Sequence, residues 1–278
     1  MSDSTVKNER TQYSLPIVLH DRPKKKLCYQ VVADSFTGLV RARNEDSFVY
    51  AWDAECKHLL AAVADGIGST ANGDIASNYM LQLLVRAWRQ FQFPKRDDPQ
   101  TVGDFLYKTV GEINRQLYEI NSIGVCGPNR DSLGTTVSAA VFMKDSMVAV
   151  NAGDSPIFRI RGKQLDQLTF DHNLANELVR MKEITPQDAV TLKRGRMLTR
   201  YIGPRLDVEP ECYRFDVQPG DCFILCSDGL TLHLPLEEIV RIISGTDVDL
   251  NMGMKKLVGM TFQRGAMDNI TLIMVKAL

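Results

Sequence analysis

The chain has 278 residues, 44% of them hydrophobic and 24% charged, so it can bury a substantial core. Its 33 basic and 34 acidic residues give a formal net charge of -1, which argues against a polyanion such as nucleic acid as partner. No run approaches the roughly 18 apolar residues that span a bilayer, and residues 1–12 lack the apolar segment of a signal peptide. The six scattered cysteines do not suggest a disulfide framework, so we expect a cytoplasmic protein with no membrane or nucleic-acid partner.

The N-terminal part of the chain changes character near residue 27. Residues 1–26 are polar and end in a basic run, a composition that predicts a flexible arm. Three β-rich runs follow at 28–36, 47–52 and 59–64, separated by polar or glycine-bearing turns. We therefore expect an antiparallel sheet to begin here.

Two helical patterns come next. Apolar residues recur at three- and four-residue steps over 76–91 and again over 105–120. Each stripe is typical of a helix that packs on a core. We expect the two helices to lie together on one face of a sheet.

Further strands and helices fill the second half of the chain. The pattern predicts strands at 135–143, 147–152, 156–160, 164–170, 222–226 and 270–275, and helices at 236–244 and 252–264. The segment 173–198 is helix-like at first and then polar and basic, which predicts an exposed flap beside a site. Because strands and helices occur in blocks, the predicted class is α+β, with helices on stacked sheets.

Acidic residues stand next to several of these apolar strands. Asp65 and Asp228 each follow a strongly apolar run, and Asp268 just precedes one. Carboxylates gathered at one sheet edge would repel one another without a cation, so the pattern indicates a metal site. Oxygen ligands select Mg²⁺ or Mn²⁺ over zinc, and the four histidines show no ligand spacing.

Seven short motifs occur along the chain in a definite order. They are 38–47 with Asn44-Glu45-Asp46, 63–68 with Ala64-Asp65-Gly66, Leu133-Gly134-Thr135-Thr136, Ala152-Gly153-Asp154-Ser155, Leu198-Thr199-Arg200 up to Gly203, Ser227-Asp228-Gly229, and Asp268-Asn269. This series resembles the PPM (PP2C-type) serine/threonine phosphatases, particularly their bacterial branch. The resemblance runs from about residue 31 to the C-terminus, and only the arm lies outside it.

The resemblance implies a specific architecture. Residues 27–278 would form one phosphatase domain, a four-layer α-β-β-α sandwich of two stacked antiparallel sheets flanked by helix pairs. A metal channel would lie at one edge of the sandwich, with the flap at 173–198 beside it.

It also implies roles for the acidic residues. Asp65 matches the family's bridging carboxylate, Asp228 and Asp268 match its other ligands to the first metal, and the carbonyl of Gly66 matches a ligand to the second. The cofactor would be two Mn²⁺ or Mg²⁺ ions per site.

Four further positions are carried over from the family. Glu45 and Asp46 match acidic positions that reach the second metal directly or through water. Arg41 matches the arginine that grips the substrate phosphate, which makes Arg41 and Asp65 the predicted catalytic residues. Asp131, three residues before Gly134, matches an aspartate that helps to bind a third, weaker ion.

Two other polar residues in the motifs are assigned structural roles. Asp154 is interpreted as a residue that stabilises a turn, and His172 as a structural hydrogen-bonding histidine. Neither is expected to be a ligand.

The function implied is hydrolysis of phosphoserine and phosphothreonine in proteins by a hydroxide that bridges two metal ions. Its expected partners are phosphorylated proteins and a serine/threonine kinase or its targets, which would place the chain in signalling. One alternative is a catalytically weak module of the same fold that binds phosphoproteins. Another is an enzyme that acts on a small phosphate ester.

Overall fold

The structure is a computed structural model that describes residues 17–18, 28–67, 72–94, 97–124, 132–244 and 249–278. Strands and helices are numbered along the chain. The first sheet has the order β1-β3-β4-β6-β7-β10, with β5 paired to β4. Its strands are β1 (Ile17–Val18), β3 (Asp46–Trp52), β4 (Leu59–Ile67), β5 (Gly134–Thr135), β6 (Val137–Phe142), β7 (Ser146–Ala152) and β10 (Glu211–Asp216).

The second sheet has five strands in the order β2-β12-β11-β8-β9, and every pair is antiparallel. They are β2 (Tyr29–Phe36), β8 (Ile157–Arg161), β9 (Gln164–Gln167), β11 (Cys222–Cys226) and β12 (Ile270–Ala277). The β2–β12 pair joins the first predicted strand to the last one.

The first sheet is antiparallel apart from its two-residue edge strand. β1 runs parallel to β3, with Ile17 opposite Val49. Its residues fall within the segment 1–26 that was predicted as an arm. The rest of that segment lies outside the described residues.

Helix pairs cover the outer faces of both sheets. The first pair, α1 (Gly73–Gln90) and α2 (Pro99–Ser122), packs on the first sheet, and the second pair, α6 (Leu236–Ile243) and α7 (Leu250–Gln263), packs on the second. Asp98 caps α2 and Pro99 occupies its first turn, which is the usual chemistry of a helix start. The predicted four-layer α-β-β-α sandwich is confirmed.

Three apolar layers hold the sandwich together. Leu60, Met80 and Leu106 belong to the layer between the first helix pair and its sheet, and Phe142 and Phe223 to the layer between the two sheets. A third layer lies between the second sheet and its helices. Strands buried on both faces need apolar residues at every position, which is why residues 59–64 and 222–226 read as continuous apolar runs.

The predicted elements differ from the observed ones in a few places. β10 was not predicted. It is an edge strand in which every second residue is exposed and the others are only partly buried. The single strand expected at 135–143 is divided into β5 and β6. No helix in the described ranges is long and apolar enough to cross a membrane.

The segment 173–198 contains two short helices, α3 (Leu174–Arg180) and α4 (Pro186–Thr191), neither of which has a buried residue. Asn173 caps α3, and Thr185 forms a capping box with Asp188 at the start of α4. The Arg180 guanidinium lies 2.6 Å from Glu211 on β10. These contacts give the predicted flap a defined local structure.

Candidate metal centre

The β3–β4 hairpin brings the first acidic residues together. Asp46 at the start of β3 is directly opposite Asp65 near the end of β4. Residues opposite each other in a sheet point to the same face, so their side chains are neighbours. The amide of Gly66 donates to the Glu45 carbonyl oxygen at 3.1 Å, which keeps Glu45 beside this pair.

The second sheet contributes the other two predicted aspartates. β11 and β12 pair with Cys226 opposite Leu272, so the end of β11 lies beside the start of β12. Asp228 follows β11 and begins the short helix α5 (Asp228–Thr231), and Asp268 precedes β12. The Ser227 hydroxyl donates to Asp46 Oδ2 at 2.7 Å and thereby links the two sheets at this edge.

The gathered carboxylates strongly perturb one another. Burial raises the pKa of Asp65 well above its usual range, and the charges of Asp46 and Asp228 raise it further. Burial and the charge of Asp268 likewise raise the pKa of Asp228. A bound cation would relieve this repulsion, as the sequence predicted for a carboxylate cluster.

Two further aspartates lie close enough to this acidic group for their charges to interact with it, and neither was predicted as a ligand. Burial, Asp228 and Asp171 raise the pKa of Asp154 to about 8, and burial raises that of Asp171 to about 7. Asp154 was assigned to a turn, although it follows the apolar strand β7 just as Asp228 follows β11. The same positional signal could have identified it.

His172 has the structural role expected of it. The ring is fully buried, and Nδ1 accepts a hydrogen bond from the Gly153 amide at 3.1 Å. Nε2 lies 3.1 Å from Arg200 Nη1 and 3.5 Å from a carboxylate oxygen of Glu211. Burial lowers the pKa of His172 to about 4, so the ring stays neutral near pH 7.

Arg41 is at the mouth of the site and has a partner there. Its Nη2 lies 2.7 Å from Asp268 Oδ2, and its side chain is 49% exposed. The hydrogen bond to Asp268 is the largest cause of a raised pKa at Arg41. In this structure the guanidinium that was predicted to grip phosphate is paired with a predicted metal ligand.

Asn269 positions the loop that carries Arg41, although sequence reasoning gave it no role. Its Nδ2 donates to the carbonyl oxygens of Thr37 and Arg43 at 2.8 and 2.9 Å. Its Oδ1 accepts from the Glu45 amide at 2.9 Å. One buried side chain therefore fastens the loop 37–45 beside Asp268.

The donor chemistry of the site fits Mg²⁺ or Mn²⁺, because its candidate ligands are carboxylate and carbonyl oxygens. Gly66 is also required by its surroundings, since a Cβ there would lie 2.2 Å from the Gly73 carbonyl oxygen. Within the described ranges, no three acidic, histidine or cysteine side chains already form a metal cage. Asp131 lies outside the described residues.

Comparisons with known proteins identify relatives of this chain. A family model described as Protein phosphatase 2C matches residues 40–262. A serine/threonine phosphatase from Listeria innocua is 31% identical over 86% of this chain and 92% of its own length. Protein phosphatase PhpP from Streptococcus pneumoniae is 30% identical over 86% of this chain and 93% of its own.

Solved structures show the same fold. The S. agalactiae serine/threonine phosphatase superposes with a TM-score of 0.81 at 26% identity, covering 90% of this chain and 100% of that one. The catalytic domain of the phosphatase PstP, in complex with two manganese ions, has a TM-score of 0.73 at 27% identity and covers 89% and 97%. From these matches and the ordered acidic motifs, we conclude that this chain belongs to the bacterial branch of the protein phosphatase 2C family.

Proposed function

We propose that this chain hydrolyses phosphoserine and phosphothreonine in proteins and requires two Mn²⁺ or Mg²⁺ ions. One observation carries the proposal: Asp65 from one sheet and Asp228 and Asp268 from the other meet at a single edge of the sandwich. Family membership supplies the reaction. Asp65, Asp228 and Asp268 would hold the first ion, and Asp65 would also contact the second.

The second ion would be held by the Gly66 carbonyl, with Glu45 and Asp46 acting directly or through water. When bound, the two ions supply the Lewis acidity that activates a water molecule and offsets charge on the phosphoryl group. Arg41 binds the phosphate oxygens with its planar fork. Release of its Nη2 bond to Asp268 would also free that carboxylate oxygen for a metal ion.

The surface around Arg41 favours a peptide over a small ester as substrate. Leu39, Val40 and Met267 are 63%, 67% and 59% exposed, and all three lie beside Arg41 and Asp268. The Leu39 amide donates to the Ala266 carbonyl oxygen at 2.8 Å, which brings the two exposed segments together. An apolar rim next to a phosphate-binding arginine can contact the side chains that flank a phosphorylated residue.

A third, weaker ion at Asp131 is part of the proposal. Its support is the position of Asp131 three residues before Gly134, as in the family. One carboxylate plus waters holds Mg²⁺ or Mn²⁺ weakly, so this ion would bind only at high metal concentration. Asp131→Ala should therefore reduce turnover across a metal titration without removing the two tighter ions, whereas a curve that overlays the parent's would leave Asp131 as a turn residue.

We further propose that residues 27–278 act as one phosphatase domain with the flap at 173–198, in the cytoplasm. Cys222 and Cys226 are buried thiols in β11, as expected for a chain kept in a reducing compartment. Its substrates would then be proteins phosphorylated by a serine/threonine kinase in the same compartment.

The decisive experiment measures phosphate release from a phosphothreonine peptide, a phosphotyrosine peptide and a small aryl phosphate, with a Mn²⁺ titration and a chelator control. We expect metal-dependent turnover that is fastest on the phosphothreonine peptide and vanishes with chelator. Binding of the peptide without turnover would instead support the catalytically weak module. Turnover of the aryl phosphate alone would support the small-ester enzyme.

A further inference from the structure

His233 lies just after α5 and is 8% exposed, and both of its ring nitrogens bond to main-chain atoms. Nδ1 lies 2.9 Å from the Gly229 carbonyl oxygen, and Nε2 lies 3.1 Å from the Met267 amide nitrogen. A carbonyl oxygen only accepts and an amide only donates, so Nδ1 carries the proton and Nε2 is an acceptor. The ring is thus a bridge between two loops, the one that follows β11 and includes the short helix α5, and the one that precedes β12.

Both of these loops carry a proposed metal ligand. Gly229 directly follows Asp228, and Met267 directly precedes Asp268. The loops also touch each other, since a Cβ on Gly229 would lie 1.9 Å from the Asn269 carbonyl oxygen. The ring of His233 therefore connects the main-chain groups that adjoin Asp228 and Asp268.

We infer that His233 is a positioning residue that holds Asp228 and Asp268 at the separation a metal ion needs. This inference rests on the proposed metal centre. Two carboxylates that face each other without a cation repel, and any freedom between their loops would let them move apart. A bridge that fixes the loops beforehand keeps the ligands arranged, which strengthens metal binding.

The main chain of His233 is held in place by the second helix pair. Nη1 of Arg264, just after α7, donates to the His233 carbonyl oxygen at 2.8 Å. Its Nη2 lies 2.9 Å from both carboxylate oxygens of Glu238 on α6. These bonds tie the main chain of His233 to the second helix pair.

The chain offers a matched control in His58. That ring is also buried and also forms two hydrogen bonds, but its partners are Asp53 and Asp97. His58 directly precedes β4, and Asp65 lies seven residues further along it, about 23 Å away on an extended strand. Replacing either buried ring by leucine costs two hydrogen bonds, yet only His233 adjoins proposed ligands.

The test is the Mn²⁺ dissociation constant, measured by calorimetry, with the melting temperature in chelator recorded for each protein. We expect His233→Leu to raise the Mn²⁺ Kd at least tenfold and His58→Leu to lower the melting temperature without changing the Kd. His233→Asn can keep the Gly229 bond and His233→Gln the Met267 bond, so each should show a smaller rise. A folded His233→Leu protein with the parent's Kd would overturn the inference.

Two reference measurements separate this inference from the proposed function. If the parent binds no Mn²⁺, or binds it as tightly after Asp228→Asn, the metal centre itself is wrong and the inference falls with it. If His233→Leu does not fold, His233→Asn and His233→Gln decide the question. Parent-like Kd values for both of them would overturn the positioning role while leaving the metal centre intact.

Discussion

Carboxylates cluster at both ends of the β3–β4 hairpin, but those at the turn end are paired with a histidine, whereas those at the open end face one another. At the turn end, His58 bonds Asp53 at 2.7 Å and Asp97 at 3.0 Å, and its ring stacks on Phe93 with centroids 3.8 Å apart. At the open end, Asp46 and Asp65 face each other across the strands, with Asp228 and Asp268 nearby.

The pKa directions follow this difference. Burial alone would lower the pKa of His58 and raise that of Asp53, but their mutual bonds outweigh it and leave His58 raised and Asp53 lowered. At the open end burial and like charges act together, so the pKa of Asp65 rises. At the turn end, the contacts between carboxylates and histidine stabilise the fold. At the open end, the carboxylates repel one another and lower the stability of the metal-free protein, and a bound metal ion would relieve this repulsion.

The largest expected effect comes from removing one carboxylate at the open end. Asp228→Asn should lower turnover on a phosphothreonine peptide roughly a thousandfold, about 4 kcal/mol in the barrier, because a neutral amide is a poor metal ligand. The variant should stay folded, since the change removes repulsion and leaves the apolar layers intact. Phosphate release and thermal melting in chelator check both points, and near-normal turnover at saturating Mn²⁺ would contradict the assignment.

The second prediction concerns metal-free stability as a function of pH. In the folded protein Asp154 and Asp171 hold their protons up to about pH 8 and 7, whereas in the unfolded chain they lose them near pH 4. The folded state therefore binds more protons between these values, so its stability should fall steadily as pH rises from about 4 to about 8. Urea unfolding in chelator measures the fall, and saturating Mn²⁺ should remove most of it.

The third prediction concerns the turn end of the hairpin, where His58 pairs with two carboxylates. His58→Leu should cost about 2 kcal/mol of unfolding free energy near pH 6, because it leaves the partly buried Asp53 without its charged partner. The pKa of His58 is raised, so its contribution is present below pH 6.5 and is lost as pH rises through the raised value. The difference from the parent in urea unfolding should therefore shrink at alkaline pH, and a constant difference would contradict a charged His58.

The smallest expected effect is at Arg41. Arg41→Ala should lower kcat/KM about tenfold, about 1.4 kcal/mol, mainly through KM if the phosphate contact is similar in the ground and transition states. Mn²⁺ affinity should not weaken, because the change frees Asp268 from its ion pair. Steady-state kinetics and calorimetry measure the two effects. Arg115→Ala, which removes an exposed arginine paired with Asp207 on α2's side of the protein, is the control and should change neither.

Local patterns in the sequence were sufficient for most of the fold. The three- and four-residue spacing over 76–91 predicted α1, and the apolar run 59–64 predicted β4, because burial of one helix face or of a whole strand leaves a periodicity that needs no knowledge of partners. Asp65 and Asp228 each follow such an apolar run, and this local pattern was enough to indicate a metal site. The ordered motifs then assigned these residues to a family.

Only the tertiary structure decided which distant groups meet. Asn269 bonds Thr37 across 232 residues, and His233 bonds Met267 across 34, so neither contact has a local signal. The pairing of Arg41 with Asp268 and the proximity of Asp154 to Asp228 likewise depend on the order of strands within the two sheets. Periodicity reports how much of a segment is buried, whereas hydrogen bonds and charge contacts depend on distances that exist only once the sheets have paired and stacked.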